Sequence, residues 1–121
     1  MQNNNFEAQV HPENGLAVIE LQGEINASAE QALNQAYTQA SHHDPSSILL
    51  NFENVTYINS TGIALIVSLL AQARKSHKSL VVYGLSDHYE EIFHITRLSD
   101  FMTIYTDEQS AMQELAAGEA S

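Results

Sequence analysis

Near the middle of the 121-residue chain, Asn59-Ser60-Thr61-Gly62 gathers an amide, two hydroxyls and a glycine directly ahead of the apolar run Ile63-Ala64-Leu65-Ile66-Val67. Short polar side chains at such a junction can do two things. They can accept the unpaired N–H groups of a starting helix, which contributes on the order of 1 kcal/mol. They can also stand at the rim of a sheet, where a hydroxyl is presented to solvent. Lying between the end of an apolar strand and the start of an apolar helix, Ser60 is expected to be reachable, whichever of Asn59, Ser60 and Thr61 supplies the cap.

The other groups with catalytic or ligating potential lack useful spacing. His42, His43 and Asp44 are adjacent, so on a helix end they point in different directions, and a solvated terminus explains them better than a metal. His11, His77, His88 and His94 fall in separate elements without a nucleophile nearby in sequence. Glu90-Glu91 and Asp107-Glu108 lie at or near expected helix starts, where negative charge is favoured anyway. There is no glycine-rich phosphate loop, no G-x-S-x-G elbow and no His-Glu-x-x-His pair. Cysteine is absent, which removes disulfides and thiolate chemistry. An enzyme has the least support, and no cofactor or metal is expected.

Charge narrows the partners. Four Lys/Arg against fifteen Asp/Glu give a net charge of -11, so phosphate backbones and anionic lipid surfaces meet no basic cluster and are repelled. Nucleic acid and membrane insertion are not expected; a protein partner is, although an acidic balance also simply keeps a protein soluble. The longest apolar stretch, Ile63 to Ala73, is shorter than the roughly 20 residues of a membrane span and reads as a buried helix. A small cysteine-free chain without an apolar leader is expected to be cytoplasmic.

These side chains must be positioned by one core, because 121 residues suit a single domain. After a polar start at 1–5, alternation predicts an edge strand over 6–10, a turn over His11 to Gly15, and a second, antiparallel strand over 16–24. Ala29, Ala32, Leu33, Ala36, Tyr37 and Ala40 predict a helix capped by Asn26 or Ser28 and stopped at Pro45. Residues 46–52 read as a strand covered on both faces, 53–61 as a polar hinge, and the sequence to about Lys78 as a helix. The apolar stripe of that helix is Ile63, Ile66, Val67, Leu70 and Ala73, with Arg74, Lys75 and Lys78 at its C-terminal end.

A buried strand over 79–84 follows. Asp87 is expected to cap a third helix with Tyr89, Ile92, Phe93 and Thr96 on one face, leading to the turn Arg97-Leu98-Ser99-Asp100. Residues 101–105 read as a fifth strand. Thr106 or Asp107 is expected to cap a last helix with Ala111, Met112 and Leu115 inward, fraying over about 117–121. Strands alternating with helices after a hairpin predict an α/β domain with a mixed, largely parallel sheet of about five strands and about four helices, in the order ββαβαβαβα.

In this frame the chain resembles the STAS domain, in particular bacterial anti-sigma factor antagonists, whose hinge is Asp-Ser-Ser-Gly before an apolar helix. Asn59-Ser60-Thr61-Gly62 is similar in place and kind. Leu21-Gln22-Gly23-Glu24-Ile25-Asn26 resembles the family's Gly-Glu-Leu-Asp segment, and the stretches 48–62 and 81–112 follow its later elements. The resemblance implies a single STAS domain that binds a serine-kinase anti-sigma factor when unmodified and is released by phosphorylation of the first hinge serine, here Ser60. It also implies that Asn26, Asn59, Ser60, Thr61, Gly62 and Ile63 form the partner-binding surface. Thr61 would be a cap or supporting hydroxyl, and Gly62 a place where a partner or nucleotide comes close. Asn26 and Asn59 replace family aspartates, which keeps the capping oxygen and removes the charge. The alternative is a STAS subunit of another assembly, a lipid-transport ATPase complex or a stress-signalling scaffold, without control by phosphorylation.

Overall fold

The computed structural model describes residues 6–13 and 15–120, with side chains as far as Leu115. β1 (Glu7–Glu13) and β2 (Leu16–Ile25) pair antiparallel, Glu7 opposite Gln22 and Glu13 opposite Leu16. β1 thus runs past the expected 6–10 and through Pro12, which an edge strand tolerates because it has a side with no ladder bond to lose. The turn shrinks accordingly. Gly15 makes it at φ 82; Asn14 and the polar start at 1–5 lie outside the described residues.

The chain continues as α1 (Glu30–Ser41), β3 (Ser47–Ile58), α2 (Ser60–Lys75), β4 (Ser79–Tyr83), α3 (Asp87–Ile95), β5 (Thr103–Tyr105) and α4 (Glu108–Ala120). β2 to β5 are parallel, and the five-stranded sheet has the sequential order β1-β2-β3-β4-β5. Successive crossovers of one hand that always step the same way leave their helices on the same face. Leu33, Ala36, Tyr37 and Ala40 of α1, Ile66, Leu69, Leu70 and Ala73 of α2, and Phe93 of α3 accordingly share one core with Ala17, Ile19, Leu21, Ile48, Leu50, Phe52, Leu80 and Val82 of the sheet. Alternate strand residues face the other way. There Leu16, Val18, Leu49, Val81 and Tyr83 are covered by Ala111, Met112 and Leu115 of α4.

Several boundaries differ from expectation for physical reasons. β3 does not end at 52 but continues to Ile58, because β2 continues beside it: Gln22 pairs with Asn54, Gly23 with Val55, Glu24 with Tyr57 and Ile25 with Ile58. Ladder pairing here outweighs the polar composition that suggested a hinge. Two register shifts absorb the difference in length between the strands. α2 stops at Lys75, and His77 takes a positive φ of 60. α3 is capped by Ser86, whose hydroxyl accepts the Tyr89 N–H at 3.3 Å, not by Asp87. β5 begins at Thr103 because Leu98–Asp100 forms a 3-10 turn that uses the preceding chain. α4 runs to Ala120, in a segment rich in the strong helix formers Ala and Glu; Ser121 lies outside the described residues.

Candidate functional site

The parallel register brings the two amide-bearing strand ends side by side. Ile25 ends β2 opposite Ile58, which ends β3, so Asn26 and Asn59 leave the sheet next to one another. The Asn59 N–H donates to the Ile25 carbonyl at 3.2 Å, which fixes the two ends together. Each amide then caps the helical turn beyond its strand. Asn26 Oδ1 accepts from the Ser28 N–H at 3.0 Å and the Ser28 hydroxyl at 2.7 Å, starting the 3-10 turn Ala27–Ala29 that leads into α1. Asn59 Oδ1 accepts the Gly62 N–H at 2.8 Å and starts α2.

With Asn59 as the cap, Ser60 and Thr61 are left for other uses. Both are exposed in the first turn of α2. Ile63 is half-buried and packs on the core beneath them. Gly62 corrects an expectation: it is buried, and a Cβ there would lie 2.1 Å from the Ile25 carbonyl oxygen and 2.9 Å from Ile58 Cγ2. Its missing side chain makes room for the chain's own strand ends, not for a partner. Asn26, Asn59, Ser60, Thr61 and Ile63 thus lie around one sheet rim, with Gly62 as the close contact that seats α2 on it.

The solvent face of α2 extends this rim. Ser60, Thr61, Ala64, Val67, Ser68, Ala71 and Gln72 are exposed, and the sequence carries no Asp, Glu, Lys or Arg from Asn54 to Ala73. Val67, expected in the apolar stripe, is 43% exposed, and Leu69 takes its place in the core. The helix is therefore amphipathic rather than wholly buried. Cations gather at and just beyond its far end, where Arg74 lies over the Phe101 ring at 5.3 Å and Lys78 Nζ is 3.1 Å from Asp44.

The remaining chemistry-bearing residues do not converge here. Among the described residues, no three of His, Cys, Asp and Glu stand close enough to hold a metal ion, and Asp44 is engaged by Lys78. One expectation about the histidines fails: His94 Nδ1 lies 2.8 Å from the Ser99 hydroxyl, with Glu90 3.9 Å from Nε2. The positive φ of 70 at Arg97 folds Leu98–Asp100 back onto α3 and makes that contact. His94 and Glu90 are each about half open to solvent, and it is the His94–Ser99 contact that ties the turn to its helix. A contact beside the site that sequence reasoning missed is that of Tyr89, whose hydroxyl accepts the Ile58 N–H at 2.9 Å. Its apolar spacing suggested only core packing.

Comparison with known proteins places this architecture. A family model described as Mlab, STAS domain, matches residues 10–105. The chain belongs to the STAS domain family. An anti-sigma-B factor antagonist of Staphylococcus aureus is 31% identical to this STAS domain over 86 residues, 71% of this chain and 80% of the relative. Among solved structures, an anti-sigma factor antagonist from Mycobacterium paratuberculosis aligns with a TM-score of 0.78 at 19% identity, covering 90% of this chain and 92% of that one. The Bacillus cell fate determinant SpoIIAA in its phosphorylated form aligns with a TM-score of 0.68 at 20% identity, covering 89% and 98%. These two likenesses establish a shared STAS fold.

Proposed function

We propose that this STAS domain is an anti-sigma factor antagonist that works by partner switching. Unmodified, it docks its hinge and the solvent face of α2 on a serine-kinase anti-sigma factor; phosphorylation of Ser60 ends the binding. The observation that carries this reading is the exposed Ser60 hydroxyl at the first position of a helix whose solvent face bears no charge as far as Ala73. Interface centres are depleted in charge, and this is a charge-free face on a protein of net charge -11.

A phosphate adds about -1.5 to -2 charge and three strong acceptors. At a helix N-terminus it meets the positive end of the helix dipole, so the host fold survives. A partner surface packed over the same spot has no such compensation and must desolvate the dianion. The relatives' description as anti-sigma factor antagonists supports the same reading.

The test is incubation with ATP and the cognate kinase followed by mass spectrometry, with partner binding measured for Ser60→Asp. The expected result is phosphate on Ser60, and a folded Ser60→Asp variant that binds at least about tenfold more weakly. No modification, together with unchanged binding by Ser60→Asp, rejects the proposal.

The second reading is a STAS subunit of another assembly, such as a lipid-transport ATPase complex. It is favoured by the amides Asn26 and Asn59 in place of the family's carboxylates and by the Mlab description of the matching family model. Co-purification with a transporter ATPase and an unmodified Ser60 would select it.

A further inference from the structure

We propose that Tyr89 is a positioning residue for the Ser60 loop, holding the end of β3 from the α3 side; the proposal rests on the reading of Ser60 as the switch. The need for such a residue comes from the sheet. β4 pairs with β3 only from Ser47 to Asn51, its last partner being Tyr83, whereas β3 continues to Ile58. Over its last seven residues β3 therefore has a strand neighbour on the β2 side alone. Gly84, at φ 85, turns the chain away at that point, passing so close to Glu53 that a Cβ would lie 2.6 Å from Glu53 Cγ.

On the open side, the Ile58 N–H is taken by a side chain 31 residues away, the Tyr89 hydroxyl at 2.9 Å. Ile58 is 5% exposed, so without that oxygen its N–H would be a buried donor lacking a partner, which is costly. Tyr89 is itself fixed. It sits in the first turn of α3 with its own N–H on the Ser86 hydroxyl, its ring packs on the core, and the His88 ring meets it edge-on at 4.8 Å.

The end of β3 is thereby gripped from both sides. The Ile25 carbonyl takes the Asn59 N–H at 3.2 Å on one, and Tyr89 holds Ile58 on the other. Ser60 begins α2 immediately after. A partner that binds a loop already held in place loses less entropy on association than one that must order it. The Tyr89 hydroxyl thus contributes to partner binding without touching the partner.

Tyr89→Phe removes the oxygen and keeps the ring. In the intact protein, amide hydrogen exchange followed by NMR should show the Ile58 N–H exchanging about tenfold faster in the variant, with the Asn59 to Thr61 signals shifted and the α1 core amides unchanged. Partner dissociation should quicken about fivefold, the equivalent of one ordinary hydrogen bond.

Unchanged Ile58 exchange overturns the proposal, as does an unprotected Ile58 amide in the unsubstituted protein. Equal acceleration of every core amide overturns it too, because the hydroxyl would then be a general stabiliser. Faster Ile58 exchange with unaltered partner dissociation removes the functional role. Undiminished binding by Ser60→Asp, in contrast, would sink the partner-switching reading while leaving the exchange result standing.

Discussion

Gly62→Ala would place a methyl group 2.1 Å from the Ile25 carbonyl oxygen and 2.9 Å from both the Ile25 carbonyl carbon and Ile58 Cγ2. In an unobstructed helix the same change stabilises by about 1 kcal/mol, because alanine loses less entropy than glycine. Here ordinary contact begins near 3.4 Å, so α2 must retreat from β2 by more than an ångström. Two of the three obstructing atoms are backbone and cannot swing aside. Overpacking of this kind costs roughly 1–3 kcal/mol, occasionally more, and a rigid obstacle puts the cost at or above the top of that range. The net effect is a loss of about 2 kcal/mol, or roughly 6–10 °C in Tm for a domain of this size.

The retreat also carries Ser60 and Thr61 away from the strand ends, so partner binding should weaken at temperatures where the variant is fully folded. Thermal unfolding by circular dichroism, paired with urea titration, measures the first effect. A Tm equal to or above that of the parent protein would refute the close approach of α2 to Ile25, and with it the seating of the whole hinge.

Asn59→Ala removes the acceptor of the Gly62 N–H and should cost about 1 kcal/mol in urea unfolding, whereas Asn59→Asp keeps the cap, adds charge favourable to the helix N-terminus and should be at least as stable as the parent. Alkali should destabilise the fold through Tyr83: burial, and then the charges of Glu108, Glu53, Glu20 and Glu13, push its phenol well above the ordinary value. Unfolded tyrosine loses its proton near pH 10 and Tyr83 only later, so the Tyr83 contribution is constant below about pH 10 and falls above it by up to about 1.4 kcal/mol per pH unit. Tyr83→Phe should flatten the decline seen in urea unfolding at successive alkaline pH values, and an equally steep decline in the variant would count against the buried phenol.

The order of elements was legible because it is written in periods: two along β2, three and four along α1, and an unbroken apolar run where β3 is covered on both faces. Less legible was everything set by pairing across the chain. Val55, Thr56 and Tyr57 are strand formers, but Glu53, Asn54 and the polar run after Ile58 mask them; β2 settles the matter by continuing alongside to Ile25. Val67 and Leu69 illustrate the same limit on a helix. Both are apolar, and only the angle at which α2 lies on the sheet decides that Leu69 is buried and Val67 exposed.

At the site, the position of Ser60 was readable from the junction of strand and helix. The choice of Asn59 over the two hydroxyls as cap needed the geometry. Gly62 misled for a related reason: a glycine beside a candidate site suggests room for a visitor, yet the atom that occupies the room belongs to Ile25, 37 positions earlier in the chain. Tyr89 could have been suspected only by asking which phenol might satisfy a strand end left open by a short neighbour.

The two amides bear directly on the proposed switch. A carboxylate at position 59 would stand beside the phosphate on Ser60, and at roughly 6 Å, in surroundings as polar as water, a dianion and an anion repel by on the order of 1 kcal/mol. That repulsion would offset much of what the helix N-terminus contributes to holding the phosphate. With Asn59 the capping oxygen remains and the repulsion disappears, so a phosphate on Ser60 would strain this chain less than one that carried a carboxylate at position 59. A partner docked on the solvent side of α2, as proposed, would meet the full added charge in either case. Replacing the carboxylate by an amide would therefore lower the cost of carrying a phosphate, while removing a carboxylate that could orient the serine toward a kinase, which is why the same amides favour the second reading. In the proposed switch the contrast between docked and repelled states would then depend on Ser60 alone, since no residue from Asn54 to Ala73 bears a carboxylate, an ammonium or a guanidinium group.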